Sequence, residues 1–369
     1  MRTSTPLGRR TTEDMIVFIY GTTAEAIKLA PVIRRLRERG APTQQWVTMQ
    51  HTESLVTAME QLGLGTPDQV IARGAAGKPL RGTADVVRWG MSVLGWLRKN
   101  RKAVAASLPK NTVIVVHGDT LTSVAGAYIA KRMGFDCAHI EAGLRSGNWR
   151  HPFPEELDRR IVGTMATVHY TPSAEATRNL QKRSNVVYTH GNTALDAVLD
   201  HGARDASSDD PYGVVLLHRF EFISNSQLVD ETLAALTASP VPLRLIVDAY
   251  NRETLERLLA SQGGDRIEII PKLRHDEFVA LLENAAFVVT DSGGIQAESA
   301  LLGVPTLIHR KTTEQGEGIG RNIVLSEWDL GRLRSFLDDY ASLRHEPDRP
   351  ERSPSDLIVA DLISRGYAE

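Results

Sequence analysis

The sequence predicts an α/β protein made of two domains, each built on a parallel sheet. Short apolar runs alternate with longer amphipathic or polar segments, which is typical of parallel strands joined by crossover helices. A chain of 369 residues with 42% hydrophobic residues exceeds the usual size of one domain and can bury a sizeable core. The segment 201–213, rich in Asp, Ser, Gly and Pro, interrupts this rhythm as a linker would.

Each predicted strand is one of the short apolar runs. In the first domain they are MIVFIY, QWVTMQ, TVIVVHG, CAHIEAG, TVHYTPS and VVYTHGN, and in the second GVVLLHRF, LRLIVDAY, RIEIIPK, AFVVTDSGG and VPTLIHR. Ligands of open parallel sheets bind beyond the carboxyl ends of the strands. Glycines and titratable residues cluster after these strands in both domains, so we expect two Rossmann-like domains facing across a ligand cleft.

Composition narrows the partners. Lys plus Arg (43) nearly balances Asp plus Glu (45), giving a net charge of -2, so we expect neither a nucleic-acid nor an anionic-membrane partner. Residues 1–14 lack the apolar core of a secretory signal, and no uninterrupted apolar run reaches about 20 residues. The single cysteine, Cys137, cannot form an intrachain disulfide, and a reducing cytoplasm fits.

The stretch FVVTDSGGIQAESALLG, residues 287–303, is typical of a strand, a glycine turn and a helix. We expect the strand to end at Asp291 and the helix to start near Ile295. The free amides and the positive dipole end of that helix suit a phosphate. Glu298, about one turn further on, can accept hydrogen bonds from ribose hydroxyls. The alternative is an ordinary turn whose glycines only permit tight packing.

The stretch HIEAGLRSGNWRHPFPEELDRR, residues 139–160, concentrates acids and arginines around a proline-rich turn. Glu155, Glu156 and Asp158 follow Pro154, where the helix dipole favours acids, so helix-start chemistry alone can explain them. Glu155 and Arg159 share a helix face and form either an ion pair or an active-site set. The residues alone leave both readings open.

Other chemistries lack their motifs. The histidines at the predicted strand ends belong to no spaced metal-ligand motif such as HExxH; they are His51, His117, His139 and His218. A GxSxG elbow and a GxGxxG nicotinamide fingerprint are also absent. We therefore expect no metal and no cofactor, and acid-base chemistry on a phosphorylated or nucleotide-bearing ligand.

Eight motifs from about residue 15 to 325 resemble, in order and spacing, those of the non-hydrolysing UDP-N-acetylglucosamine 2-epimerases. They are GTTAEAIKLAP, VHGDT, EAGLRSG, PFPEELDRR, GNTALDAV, HRFE, TDSGGIQAES and RKTTEQGE. The resemblance implies the two-domain GT-B architecture, a UDP-sugar substrate and a homodimer. It also implies epimerisation at C2, in which anti elimination of UDP gives 2-acetamidoglucal and UDP adds back to the opposite face.

The same resemblance predicts the domain limits and the site. We expect an N-terminal domain at 1–204, a C-terminal domain at 205–350, and a segment at 351–369 that crosses back to the first. The predicted catalytic residues are Asp119, Glu141, Glu155, Arg159 and His218. The predicted substrate-binding residues are Lys28, Arg145, Phe278, Ser292, Gly293, Gly294, Glu298 and Arg310.

Four motifs depart from the family pattern. GTRPE becomes Gly21–Glu25 with Thr23 in place of arginine, and ERPE becomes Glu314–Glu317, so two nucleotide-binding arginines are missing. HRREN becomes His218–Phe222, and VHxNP becomes Val247–Asn251, which lacks the histidine associated with a regulatory second UDP-sugar site. The catalytic carboxylates are retained. These departures bear on the affinity for UDP, on regulation and on the sugar.

Two alternatives to the epimerase follow. A divergent member of the family can act on a related nucleotide sugar, or hydrolyse the glycal to release a free 2-epimeric sugar. A nucleotide-sugar-binding protein without turnover is the alternative from another class, and retention of all three carboxylates argues against it.

Overall fold

The chain forms two compact units in a computed structural model. Unit 1 comprises Met1–Ala197 and Glu351–Glu369, and unit 2 comprises Val198–Pro350. The described residues are 14–50, 52–74, 80, 82–146, 154–200, 210–247, 259, 264–313, 316, 318–347 and 351–368. The predicted linker is described only from residue 210 onward, so the expected 204/205 boundary lies outside the described residues.

Unit 1 contains a seven-stranded sheet in the order β3-β2-β1-β4-β5-β6-β7. All of its strand pairs are parallel. Its strands are β1 Asp14–Tyr20, β2 Thr43–Val47, β3 Gln69–Val70, β4 Asn111–His117, β5 Asp136–Ile140, β6 Val168–Thr171 and β7 Val186–Tyr188. Its described helices before the C-terminal one are α1 Thr23–Glu38, α2 Thr52–Gln61, α3 Thr83–Ser107, α4 Leu121–Met133, α5 Glu155–Met165, α6 Ala174–Asn179 and α7 Thr193–Leu199, the last two residues of which are assigned to unit 2.

Helices cover both faces of this sheet, which explains why β1 and β4 are apolar at nearly every position. Phe18 packs into one core cluster and its neighbour Ile19 into the other. In β4, Val115 and Val116 divide between the same two clusters. A strand that is buried on both faces needs a continuous apolar run rather than an alternating one.

The C-terminal helix packs on unit 1. It spans Pro354–Ser364, and its buried Ile358 and Leu362 join the core cluster that contains β1 and α1. The Tyr170 hydroxyl donates to Asp361 over 2.9 Å. Tyr367, beyond the helix, donates to Asp136 over 2.8 Å.

Unit 2 repeats the architecture with a six-stranded sheet in the order β10-β9-β8-β11-β12-β13. Its strands are β8 Gly213–Leu216, β9 Leu243–Val247, β10 Ile267–Pro271, β11 Phe287–Thr290, β12 Thr306–Ile308 and β13 Ile323–Leu325. Its described helices are α8 Phe220–Ile223, α9 Ser226–Thr237, α10 His275–Glu283, α11 Gly293–Leu302 and α12 Leu330–Asp339, and a 3-10 turn spans Tyr340–Leu343. The C-terminal helix Pro354–Ser364 of unit 1 is α13.

The predicted α/β class with two parallel sheets is confirmed. Strands β3 and β13 were not predicted. β3 has only two residues, too few to show an apolar pattern, and β13 is a three-residue strand that follows a glycine-rich stretch of the sequence. No helix among the described residues is long and apolar enough to cross a membrane.

Candidate active site

Two of the predicted carboxylates follow neighbouring strands of unit 1. Asp119 lies in the turn between β4 and the N-cap of α4, and Glu141 follows β5 directly. Because β4 and β5 pair in parallel, with His117 opposite Ile140, both carboxylates leave the sheet at the same edge. Gly118 makes the turn to Asp119 possible, since its φ of 68° is unfavourable for residues with a Cβ.

Three polar side chains surround the carboxylate of Glu141. Its Oε2 accepts hydrogen bonds from Nζ of Lys28 at 2.7 Å and from Nδ2 of Asn192 at 2.6 Å. Nε2 of His117 lies 3.4 Å from the same oxygen. Lys28 projects from α1, and Asn192 precedes α7 and accepts the Ala194 amide through its Oδ1. Elements distant in sequence therefore meet at one carboxylate.

These contacts keep Glu141 ionised. Burial alone would raise the pKa of Glu141, but the Lys28 ammonium, His117 and the Asn192 hydrogen bond outweigh it and hold that pKa at about 2. Burial lowers the pKa of His117 to about 3, against the attraction of Glu141. His117 is therefore neutral near pH 7, and the charge that stabilises Glu141 there is that of Lys28.

The backbone of Glu141 lies in the left-handed region, with a φ of 65°. A side chain with a Cβ is uncommon there and costs roughly 1–2 kcal/mol. Glycine would avoid that cost, so the sequence retains a carboxylate at a position where the backbone disfavours it. Such strain is typical of functional sites.

Asp119 pairs with Arg159 of α5 through a direct hydrogen bond. Burial raises the pKa of Asp119, and Glu141 adds to this effect while Arg159 and Lys28 oppose it. Asp119 is thus closer to accepting a proton than Glu141 is. The structure brings Asp119, Glu141, Lys28 and Arg159 together, as the sequence analysis expects of one site.

Glu155 and Asp158 lie on the first turn of α5. Within the described residues, Oε2 of Glu155 and Oδ2 of Asp158 are buried without a hydrogen-bond partner. Burial raises the pKa of Asp158 to about 7, and the nearby charges of Asp119 and Glu155 contribute. Helix-start chemistry alone does not explain an acid buried in this way, so Asp158 joins the candidate site.

The question left open for Glu155 and Arg159 has a structural answer. Arg159 directs its guanidinium to Asp119, and its Nη1 lies 3.7 Å from Glu156 Oε2. Glu156 is fully buried and accepts hydrogen bonds from Arg160 at 3.0 Å and from the Ser146 amide at 3.1 Å. Glu156 therefore holds Arg159 and Arg160 of α5 in place. Glu155 does not have this structural role.

In unit 2, His218 stands beside a buried aspartate. Nδ1 of His218 lies 3.0 Å from Oδ1 of Asp291, and the amides of His218 and Arg219 donate to Oδ2 at 2.8 Å each. Burial would raise the pKa of Asp291, but these donors outweigh it and lower that pKa. An ionised Asp291 orients the imidazole, whose ring is about half exposed.

The glycine turn of unit 2 opens α11, which begins at Gly293, two residues before the expected start near Ile295. Ser292 is the N-cap residue, yet its side chain caps no amide of this helix. Gly294 is exposed, and a Cβ there would meet only the Ser292 hydroxyl, at 3.8 Å. The helix N-terminus therefore presents amides with room around them, as a phosphate requires.

The remaining predicted residues lie in both units. Glu298 is half-buried on α11, and Arg310 is half-buried after β12. Phe278 of α10 is partly buried against a core cluster of unit 2. Arg145 of unit 1 donates to its neighbour's carbonyl at 2.7 Å and points its Nε toward Glu156 at 4.0 Å.

Some sequence expectations fall outside the described residues. They concern Glu314, Gln315 and Glu317 of the altered ERPE motif, 248–251 of the altered VHxNP motif, His51, and the side chain of Phe220. Thr23, which replaces the first missing arginine, is described, and its hydroxyl is buried.

Sequence reasoning did not assign a role to His117, Asn192, Asp158 or Asp291. A signal existed for three of them, since His117, Asn192 and Asp291 stand inside motifs that end predicted strands. The importance of Asp158 comes from burial, which the acidic first turn of a helix does not reveal.

The chain is similar in sequence and in fold to known proteins. The family model described as UDP-N-acetylglucosamine 2-epimerase matches residues 34–329. The UDP-N-acetylglucosamine 2-epimerase of Bacillus subtilis (strain 168) is 30% identical over 324 residues, covering 82% of this chain and 80% of that protein. That of Escherichia coli (strain K12) is 29% identical over 330 residues, covering 82% and 84%.

A solved structure shares the fold. The Methanocaldococcus jannaschii UDP-GlcNAc 2-epimerase in complex with UDP-GlcNAc and UDP is 25% identical, with a TM-score of 0.72 over 95% of this chain and 100% of that one. The family match spans both units and every described candidate residue except Lys28. With its paired carboxylates, its glycine turn and these relatives, the chain belongs to the UDP-N-acetylglucosamine 2-epimerase family.

Proposed function

We propose that this protein epimerises UDP-N-acetylglucosamine at C2 to give UDP-N-acetylmannosamine. Membership of the family and the names of its relatives support this substrate. The observation that carries the proposal is a pair of partly buried carboxylates at neighbouring strand ends with pKa values shifted in opposite directions, since the pKa of Glu141 is lowered and that of Asp119 is raised. Acid-base catalysis uses groups separated in this way.

The reaction needs no redox partner. Elimination moves the C2 proton to a base and the C1–O electron pair to UDP, leaving a C1=C2 double bond. Re-addition of UDP to C1 and of a proton to the other face of C2 restores the bonds. Because proton transfer works best with a pKa near the operating pH, and the pKa of Asp119 is raised, we assign the proton to Asp119. Glu155, whose buried Oε2 makes no hydrogen bond to the described residues, and Asp158 are assigned to the same proton transfer.

Glu141 has a different task in this proposal. A carboxyl with a pKa of about 2 stays ionised near pH 7 and is a poor proton donor. We assign it to the sugar, as a hydrogen-bond acceptor and as a negative charge that positions Lys28. The ion pair in turn fixes the Lys28 ammonium next to the reacting groups.

We assign the diphosphate to unit 2. The amides at the start of α11 and the helix dipole favour the negative charge of departing UDP. In its protonated form, His218 donates to Asp291 through Nδ1 and can donate to a phosphate oxygen through its other nitrogen. Glu298 and Phe278 are assigned to the ribose and the uracil.

Product analysis tests the proposal. Purified protein is incubated with UDP-N-acetylglucosamine, and the products are identified by NMR, with Asp119→Asn as the control for contaminating activity. We expect UDP-N-acetylmannosamine with its diphosphate intact. Release of free N-acetylmannosamine would show that the protein hydrolyses the substrate instead of epimerising it. Binding without any product would show that the protein binds a nucleotide sugar without turnover.

We also propose a homodimer and a cytoplasmic location. Val87, Met91 and Leu94 are exposed at 60%, 61% and 53% along one face of α3, a spacing that forms a stripe. Such a stripe favours contact with a second copy. Sedimentation should give a dimer for the native chain and a monomer for Met91→Asp. Cys137 is a free, buried thiol, which agrees with a reducing compartment.

A further inference from the structure

A basic cavity lies on unit 1 between α5 and the end of α6. Its volume is about 570 Å³, within the range of roughly 300–1,000 Å³ that is typical of small-molecule sites. Of the described residues that line it, half are cationic and none is acidic; the cations are Arg145, Arg160, Arg178, Lys182 and Arg183. Because the whole chain has a net charge of -2, this concentration does not follow from composition.

The positive charge of the cavity is only partly balanced. Glu156, fully buried behind the wall, faces Arg160 at 3.0 Å and Arg145 at 4.0 Å. Within the described part of the chain, Arg178, Lys182 and Arg183 form no ion pair. Burial lowers the pKa of Arg145, and the neighbouring arginines add to this effect while Glu156 opposes it. The cations thus repel one another across an open space.

We propose that this cavity binds a small anion carrying a diphosphate group. Several convergent cations match the charge of a diphosphate better than that of one phosphate, and guanidinium groups bind phosphate oxygens in pairs. Asn179 adds an amide to the wall while its Nδ2 donates to the Gly143 carbonyl at 3.0 Å. That bond fixes the end of α6 to the loop that follows β5.

Glu156 connects the cavity to the candidate active site. Arg145 and Arg160 line the cavity and also hold Glu156, and the other oxygen of Glu156 lies 3.7 Å from Arg159. Arg159 is the partner of Asp119. An anion in the cavity attracts Arg160 and Arg145 away from Glu156. Glu156 then attracts Arg159 more strongly, and the contact between Arg159 and Asp119 weakens. This coupling rests on the proposed function, whereas the binding does not.

Site-resolved binding tests the first part. Hydrogen-deuterium exchange of the folded full-length chain is compared with and without inorganic pyrophosphate, and affinity is measured by calorimetry. We expect added protection in residues 174–185, at least tenfold weaker pyrophosphate binding at this site in Arg178→Ala/Arg183→Ala, and much weaker binding of sulfate.

A matched variant controls for general attraction. Lys131→Ala/Arg132→Ala removes the same charge from the exposed end of α4, outside the cavity, and we expect less than a twofold change. Equal losses in the two double variants, or no added protection in residues 174–185, would overturn the site. Sulfate binding as tightly as pyrophosphate would overturn the diphosphate assignment.

Kinetics tests the coupling. At saturating UDP-sugar, where competition for the UDP site is overcome, we expect pyrophosphate to lower kcat of the native chain at least twofold and to leave kcat of Arg178→Ala/Arg183→Ala unaffected. Binding without any effect on kcat would contradict the coupling. Absence of turnover both with and without pyrophosphate would contradict the proposed function, and activation by pyrophosphate would contradict the predicted inhibition, while the exchange result would still decide the site.

Discussion

Nζ of Lys28 lies 2.7 Å from Oε2 of Glu141, joining the first helix of unit 1 to the residue that follows β5. Glu141 is almost completely removed from solvent, with a side-chain exposure of 11%, so its charge depends on this partner. The pair explains how a carboxylate whose backbone is strained and whose side chain is largely removed from water remains ionised. It also provides a direct way to change the charge at the site.

Lys28→Met should raise the pKa of Glu141, because burial then acts without its main opposing charge. The acidic limb of the pH-rate profile should move to higher pH, and kcat should fall by about 10-fold or more. Lys28→Arg, which keeps the charge, is the control and should stay closer to the native profile. An unchanged profile in Lys28→Met would contradict the electrostatic role.

Glu141→Gln, Asp119→Asn and Glu155→Gln should each lower kcat by on the order of 100-fold or more, since each removes a charge or proton-transfer group and keeps its shape. Steady-state kinetics on protein of native circular dichroism measures this. Near-native activity in all three variants would contradict the roles assigned to these three carboxylates.

Asp158→Asn should become more stable than the native chain as pH rises. The folded pKa of Asp158 is about 7, above its unfolded value of 3.8, so the folded state holds the proton more tightly and stability is lost as pH rises between these values. Asparagine does not titrate. Urea unfolding near pH 8 and near pH 5 should therefore favour the variant only at the higher pH, by about 1–3 kcal/mol. An equal difference at both pH values would show that Asp158 titrates normally.

Buried neutral histidines should make the protein acid-sensitive. Burial lowers the pKa values of His139 and His169 to about 4 from 6.5. The unfolded chain then binds protons that the folded one does not, so each costs about 1.4 kcal/mol per pH unit as pH falls from 6.5 to about 4. The Tm of His169→Gln should fall less than that of the native chain when the pH is lowered from about 7 to about 5. The same loss in both proteins would contradict this assignment.

The sequence predicted both sheets because buried parallel strands leave a continuous apolar signal, and it predicted that Asp119 and Glu141 follow strands because their motifs stand at the strand ends. It did not predict that Lys28 and Asn192 meet at Glu141, since that contact joins α1 and the start of α7 to β5 through packing. Asp158 was ambiguous for a related reason, because helix starts favour acids whether they are exposed or buried.

Gly294→Pro should weaken UDP binding, because it removes an amide donor at the start of α11, where the first turn of a helix tolerates proline. Gly294→Ala keeps that amide and has room for its Cβ, so it is the matched control. Calorimetry should show about 10-fold weaker binding for proline, corresponding to about 1.4 kcal/mol, and little change for alanine. Equal affinities of the two variants would contradict binding at this turn.

Glu298→Ala should weaken UDP binding, because it removes the side chain assigned to the ribose. Thr23→Arg restores a cation in place of a missing arginine and should strengthen UDP binding or leave it unchanged, since a charged hydrogen bond contributes about 1.5–3 kcal/mol. Calorimetry with UDP measures both. No binding of UDP or UDP-sugars at millimolar concentration, with tight binding of another nucleotide, would show that the ligand has changed.

The most direct measurement is turnover of UDP-N-acetylglucosamine in deuterated water, followed by proton NMR of the sugar C2 position. If Asp119 and its neighbouring carboxylates exchange the C2 proton with solvent, the UDP-N-acetylmannosamine formed should carry deuterium at C2, without added metal or nicotinamide. Product that forms at a normal rate but keeps its original C2 proton throughout would contradict acid-base transfer by these solvent-exchanging carboxylates.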